Sequence, residues 1–164
     1  MKYLFFIATF CFGIVTKAQY ASDCGKIPEL NKEIPQVLKP YNGKKISRGE
    51  CWDAAKLALD KLNAEWDGLY VFGREIDPKK ECVQPGDIVQ FENVEVEIRS
   101  EKMIAREQYP HHTAIVYTVK SPGNFELFHQ NTGYTGRKMG ITDLDLRNIK
   151  KGTLKIYRPV PKAL

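Results

Sequence analysis

The sequence lacks the features that mark several large protein classes. It has no internal repeat and no low-complexity tract, which excludes solenoids and extended disordered arrays. It has no CxxC pair, and its 3 histidines lack zinc-helix spacing, so neither a metal site nor a cofactor is expected. Beyond the N-terminus, no apolar run is long enough to cross a membrane. The net charge of +5 at pH 7 is too modest to argue for nucleic acid, though it is compatible with an anionic polymer as partner.

What is present starts with "MKYLFFIATFCFGIVTKAQ". Lys2 gives a short positive start, Leu4 to Val15 is apolar, and Thr16-Lys17-Ala18 offers small residues at a cleavage site. Residues 1–18 are therefore expected to be a secretory signal peptide, too short to act as a stop-transfer helix. The mature chain is expected to be secreted or periplasmic, free of the membrane after cleavage, and large enough for one domain. Cys11 would leave with the leader. Cys24, Cys51 and Cys82 would remain, an odd number for an oxidising compartment. Cys24 lies in a polar arm and Cys82 in the loop "KKECVQPGD", while Cys51 sits in a helical pattern. A Cys24–Cys82 disulfide with Cys51 free is the expected arrangement.

Residues 19–46 carry Pro28, Pro35 and Pro40 and read as an irregular arm. A helix is predicted next. Ser47 followed by Glu50 makes a capping box, and Cys51, Ala54, Ala55, Ala58, Leu59 and Leu62 fall on one face. The period then changes to two. "GDIVQF", "VEVEI", "HTAIVYTV", "FELFHQN" and "TLKIYRPV" read as strands, with "KSPGN" as a hairpin turn. One helix followed by hairpin-linked strands is an α+β pattern.

A thiol at a helix start gains roughly 0.3–1 kcal/mol from the dipole, under one pKa unit, which does not make it reactive at neutral pH. An imidazole from elsewhere is needed. His111 and His112 open one strand, and adjacent strand residues face opposite ways, so only one should meet Cys51; alternation does not choose between them. If Pro122 and Gly123 form a two-residue turn, Asn131 faces Ala114 and His129 faces Val116, so His112, His129 and Asn131 share one face.

"GECWDAA", "PGDIVQFE", "HHTAIVY" and "FHQN", in that order and spacing, resemble the CHAP amidohydrolase/peptidase family and its NlpC-type relatives. The resemblance covers about residues 47 to 159. It implies a papain-like fold, with a catalytic helix packed on a small antiparallel sheet, over residues 47–164. It implies Cys51 as nucleophile and His112, which directly precedes "TAIV", as base. The motif favours His129 as the residue that orients the base, while the register above favours Asn131. Glu50 stands where many CHAP members carry a glutamine that serves the oxyanion hole, which leaves the backbone N–H of Cys51 for that contact. The same wording also resembles divergent eukaryotic CHAP-like domains attached to cytoskeletal adaptor proteins. The expected activity is an exported thiol-dependent amide hydrolase, a peptidase or amidase, with a peptide or peptidoglycan amide as substrate. The alternative is a catalytically inactive CHAP-like module that binds or supports a partner.

Overall fold

The computed structural model describes residues 20–99 and 104–163, so the expected leader at 1–18 lies outside the described residues. The chain first forms α1, Glu29–Leu38, then a 3-10 turn at Lys39–Tyr41, then α2, Asp53–Lys61. Six strands follow: β1 Arg74–Ile76, β2 Ile88–Arg99, β3 Ile104–Ser121, β4 Asn124–His129, β5 Gly140–Asp145 and β6 Ile149–Arg158. They make one antiparallel sheet in the order β1-β6-β2-β3-β4-β5.

The α1 helix corrects the reading of residues 19–46 as an irregular arm. Leu30, Ile34 and Leu38 recur at helical spacing and pack into the core. Pro28 precedes the first turn, where a missing N–H costs nothing, and only Pro35 lies inside the helix. Gly86, at φ +85°, passes close beneath this helix: a Cβ there would lie 2.2 Å from the Asn31 carbonyl oxygen. Only glycine fits that approach.

Side chains alternate across the sheet and build two apolar layers. Ile88, Ile115, Phe128 and Tyr157 face α1 and α2, against Ala54, Ala55, Ala58 and Leu59. Val89, Phe91, Ala114, Val116, Phe125 and Leu127 line the opposite face. The segments read as "GDIVQF" and "VEVEI" are one continuous strand, β2. It pairs with a β3 that begins well before the "HTAIVYTV" segment.

The β3–β4 hairpin turns as the sequence reading supposed, with Ser121 opposite Asn124 across Pro122-Gly123. The register then slips at two bulges in β3, one between Val119 and Ser121 and one between Val116 and Thr118. Two single-residue slips restore the parity of facing. Val116 therefore lies opposite Leu127, not His129, yet His112 and His129 still share a face.

A buried ion network ties α1, the loop before β2, and β6 together. Asp87 is fully buried. Its carboxylate accepts from Arg158 Nη2 at 2.8 Å and Nε at 3.1 Å, from Asn31 Nδ2 at 2.7 Å, and from the Gln84 backbone N–H at 2.8 Å. Arg158 also donates to the Cys82 carbonyl at 2.6 Å and to Glu81. Burial pushes the Asp87 carboxyl up, and the Arg158 guanidinium opposes that shift. Replacing Asp87 with alanine should cost about 3–5 kcal/mol, because it leaves the buried guanidinium with only the partly exposed Glu81 as counter-charge. Denaturant unfolding of the variant measures this; a change within the scatter of a surface substitution would show that the network does not hold the fold.

Candidate active site

Cys51 lies just ahead of α2, not inside it. Ser47 sits at φ +50° and Gly49 at φ +85°, so the chain makes a tight left-handed turn where the capping box was expected. No side chain caps α2 at its first position, Trp52. The acid that organises this end is Asp53, whose carboxylate accepts from the Glu50 backbone N–H at 3.0 Å and from Arg48 Nη2 at 3.3 Å. The turn is clamped to the end of β4 by Gln130, which is fully buried. Its amide donates to the carbonyls of Glu50 at 2.8 Å and Ile46 at 3.0 Å, and its oxygen accepts from the Ile46 N–H at 3.0 Å. The sequence reading missed Gln130; its only signal was its place in the middle of "HQN".

This clamp seats the Cys51 thiol against β3. Pairing of β3 with β4 stops at Ile115 opposite Phe128. Beyond that point the peptide N–H groups of Thr113 and Trp52 are directed at the Cys51 sulfur as weak hydrogen-bond donors, while the Thr113 hydroxyl donates to Gln90 Oε1 at 2.6 Å. Cys51 is 7% exposed and is the free cysteine among the described residues. Burial pushes its thiol up; those hydrogen bonds oppose the shift, and the Glu50 charge adds to it. This corrects the expectation of a thiol favoured toward its anion: desolvation outweighs a helix-end effect of under one unit. No hydrogen bond joins Cys51 to a histidine among the described residues.

His112 and His129 do come together. His112 Nε2 and His129 Nδ1 are 2.9 Å apart, and His129 Nε2 is 2.7 Å from Thr142 Oγ1 on β5. Both rings are buried, packed with Phe91 and Tyr109 around His112. Burial pulls both imidazoles below their usual range, His112 to about 4, so the pair is neutral at pH 7. With one proton per link, a His112 Nε2–H donating to His129 requires His129 to donate onward to Thr142. His112 Nδ1 then carries a bare lone pair, and it has no hydrogen-bond partner among the described residues.

Asn131 does not join this pair. The chain leaves the strand after His129, Asn131 turns to φ +64°, and its side-chain amide donates to Glu50 Oε2 at 3.2 Å. Glu50 is also paired with Arg137, and as a carboxylate it cannot donate to an oxyanion. His111 stands on the α2 side of β3. Its Nδ1 lies 2.9 Å from Glu92 Oε2, and its ring meets Tyr70 edge-on at 4.1 Å. The sequence argument that only one histidine could meet a helix lying on one face assumed a thiol on that face. The thiol segment is held instead where β4 leaves β3, by the Gln130 amide on the Glu50 carbonyl. Cys24 and Cys82 form a disulfide with Cα atoms 5.4 Å apart. Among the described residues no cluster of His, Cys, Asp and Glu could hold a metal.

A sheet carrying a thiol at a helix start and a histidine pair on its central strands is the arrangement of a papain-like cysteine-proteinase fold. Over residues 29–164 the chain matches the family model described as the AIM3/BBC1 Cysteine proteinase-fold domain. It belongs to that family. No curated protein matches the chain. Among solved structures it is similar to the one titled "The crystal structure of Ly7917", at 13% identity and a TM-score of 0.42. That match covers 77% of this chain and 62% of the other, so the chain spans less than two thirds of the protein it matches.

The buried pair generates a pH dependence. Unfolded imidazoles titrate near 6.5, above the folded value of about 4 for His112. Between those values the unfolded chain binds more protons, so stability present at neutral pH falls as the pH drops through this window. Thermal unfolding followed from pH 7 to pH 4 should show this loss, and a His112→Gln, His129→Gln double variant should show less of it. Equal losses in both proteins would mean that the pair is not buried neutral.

Proposed function

We propose that this domain is an exported thiol-dependent amide hydrolase of the CHAP/NlpC type, with Cys51 as nucleophile, His112 as base and His129 as the residue that orients it. One observation carries the reading: the His112–His129 hydrogen bond of 2.9 Å lies next to Gln130, whose amide holds the Glu50 carbonyl at 2.8 Å, one residue before Cys51. In this reading the resting site is a neutral thiol beside a neutral imidazole. The sulfur attacks the substrate carbonyl as its proton passes to His112 Nδ1. The C–N bond then breaks, and the imidazolium returns that proton to the leaving amine. Water, deprotonated by the same nitrogen, cleaves the thioester and restores the thiol. His129 stabilises the imidazolium through Nε2 of His112, and Thr142 Oγ1 accepts from His129 Nε2 in that state.

The Cys24–Cys82 disulfide supports an oxidising compartment, and with the N-terminal leader pattern it supports export. A peptide amide, of the kind peptidoglycan contains, is the substrate this reading offers. A second reading, an inactive module that kept the fold, is favoured by the raised thiol and by the missing sulfur–imidazole hydrogen bond.

An epoxysuccinyl amide probe separates these readings, because opening its ring needs a proton as well as a thiolate. Mass-spectrometric mapping should place the label on Cys51. Labelling should slow on the order of 10²-fold or more in His112→Ala, the range general acid–base catalysis supplies, and change little in His111→Ala. Loss in His111→Ala alone would transfer the base role to the His111–Glu92 pair. Equally slow labelling in all three proteins would leave the inactive module.

A further inference from the structure

Along the outer side of α2 and the turn that precedes it runs an open cleft of about 700 Å³. Its floor is apolar and aromatic: Trp52, the residue next to the thiol, with Leu57, Tyr41 and Ile46. Its rim carries four cations, Lys45, Arg48, Lys56 and Lys61, all exposed. The two acids that line it are already engaged. Asp60 holds Lys56 at 2.7 Å and the Trp66 indole N–H at 2.9 Å. Asp53 is buried and spends its carboxylate on the Glu50 N–H and Arg48. Lys45 and Lys61 have no acidic partner among the described residues. Arg48 lies over the Trp52 ring at 5.4 Å, which holds that guanidinium at the edge of the aromatic floor.

We infer that this cleft is a binding site for an acidic peptide segment: apolar side chains would lie on Trp52 and Leu57, and carboxylates would meet Lys45 and Lys61. Charge complementarity selects the sign of the partner, and the floor selects a chain with apolar groups between its acids. A bare polyanion would leave the floor uncovered. Trp52, which follows Cys51 in the chain, lines the cleft, so the segment would be part of the substrate, a step that rests on the hydrolase reading. Binding itself does not need that reading, so the two can fail separately.

The experiment uses the full mature chain with Cys51→Ala, which removes turnover from the measurement. The probes are a short capped peptide of alternating glutamate and leucine, and the same peptide with lysine replacing glutamate. Titration calorimetry should show binding of the acidic peptide and none of the basic one. Raising ionic strength from about 0.05 M to about 0.5 M should weaken binding, as screening requires. The Lys45→Glu, Lys61→Glu double variant should lose at least about tenfold in affinity, equal to roughly 1.4 kcal/mol, with thermal unfolding unchanged. Because both lysines are exposed, folding should survive; a Lys45→Gln, Lys61→Gln variant with an intermediate loss guards against a charge-reversal artefact. Equal binding of both peptides, unchanged affinity in the double variant, or binding to anionic lipid vesicles in place of the peptide would each overturn the proposal.

Discussion

Much of this molecule follows from where β4 parts from β3. Paired strands satisfy each other's peptide groups, so a strand edge is open to another donor or acceptor only where its neighbour leaves. Here the β3–β4 ladder ends at Ile115 opposite Phe128, and Gln130 turns out of the sheet to clamp the 46–50 segment. The same departure opens the Thr113 N–H to the Cys51 sulfur and brings the helix-start segment down onto the sheet. It also ends β4 directly after His129, which fixes where the second imidazole can reach. Thiol, imidazole pair and clamp are consequences of one local break in a ladder.

Electrostatics around that break is governed by desolvation more than by pairing. Burial raises the thiol and lowers both imidazoles, so each group rests in its neutral form. The charges that are present lie at the margin: Glu50 is tied to Arg137 and Asn131, and His111 faces Glu92. A site of this kind stores no ion pair in its resting state. In the proposed reaction, charge would develop only as a carbonyl is attacked, when the proton moves to a nitrogen already aligned by a second ring. The Asp87–Arg158 network behaves differently. It is charged and buried, and it is held by several hydrogen bonds at once, which is how a buried pair offsets its own desolvation.

Legibility differed sharply between elements. The strands "HTAIVYTV" and "FELFHQN" and their Pro122-Gly123 turn were readable because period-two apolar patterns and turn residues are local signals. The facing of His112 and His129 was readable by parity, and it survived two bulges only because together they shift the register by two residues, a full period of the strand. The α1 helix was not readable: three prolines read as a broken segment, although only Pro35 falls inside the helix and its apolar positions are buried by tertiary packing. The capping box at Ser47 and Glu50 also misled, since Ser and Glu at that spacing are common and Gly49 allowed a different turn.

The sequence by itself determined the alternating strands, the hairpin turn, and the residue types of a cysteine–histidine site. Those depend on neighbours along the chain or on simple counts. Tertiary structure alone decided that His129 and not Asn131 joins His112, that Gln130 positions the thiol segment, and that Asp87 carries a buried ion pair with Arg158. It alone also decided that the thiol rests protonated. Each of these depends on which groups burial brings within about 3 Å and on how much water it removes, and neither is written in the spacing of residues along the chain.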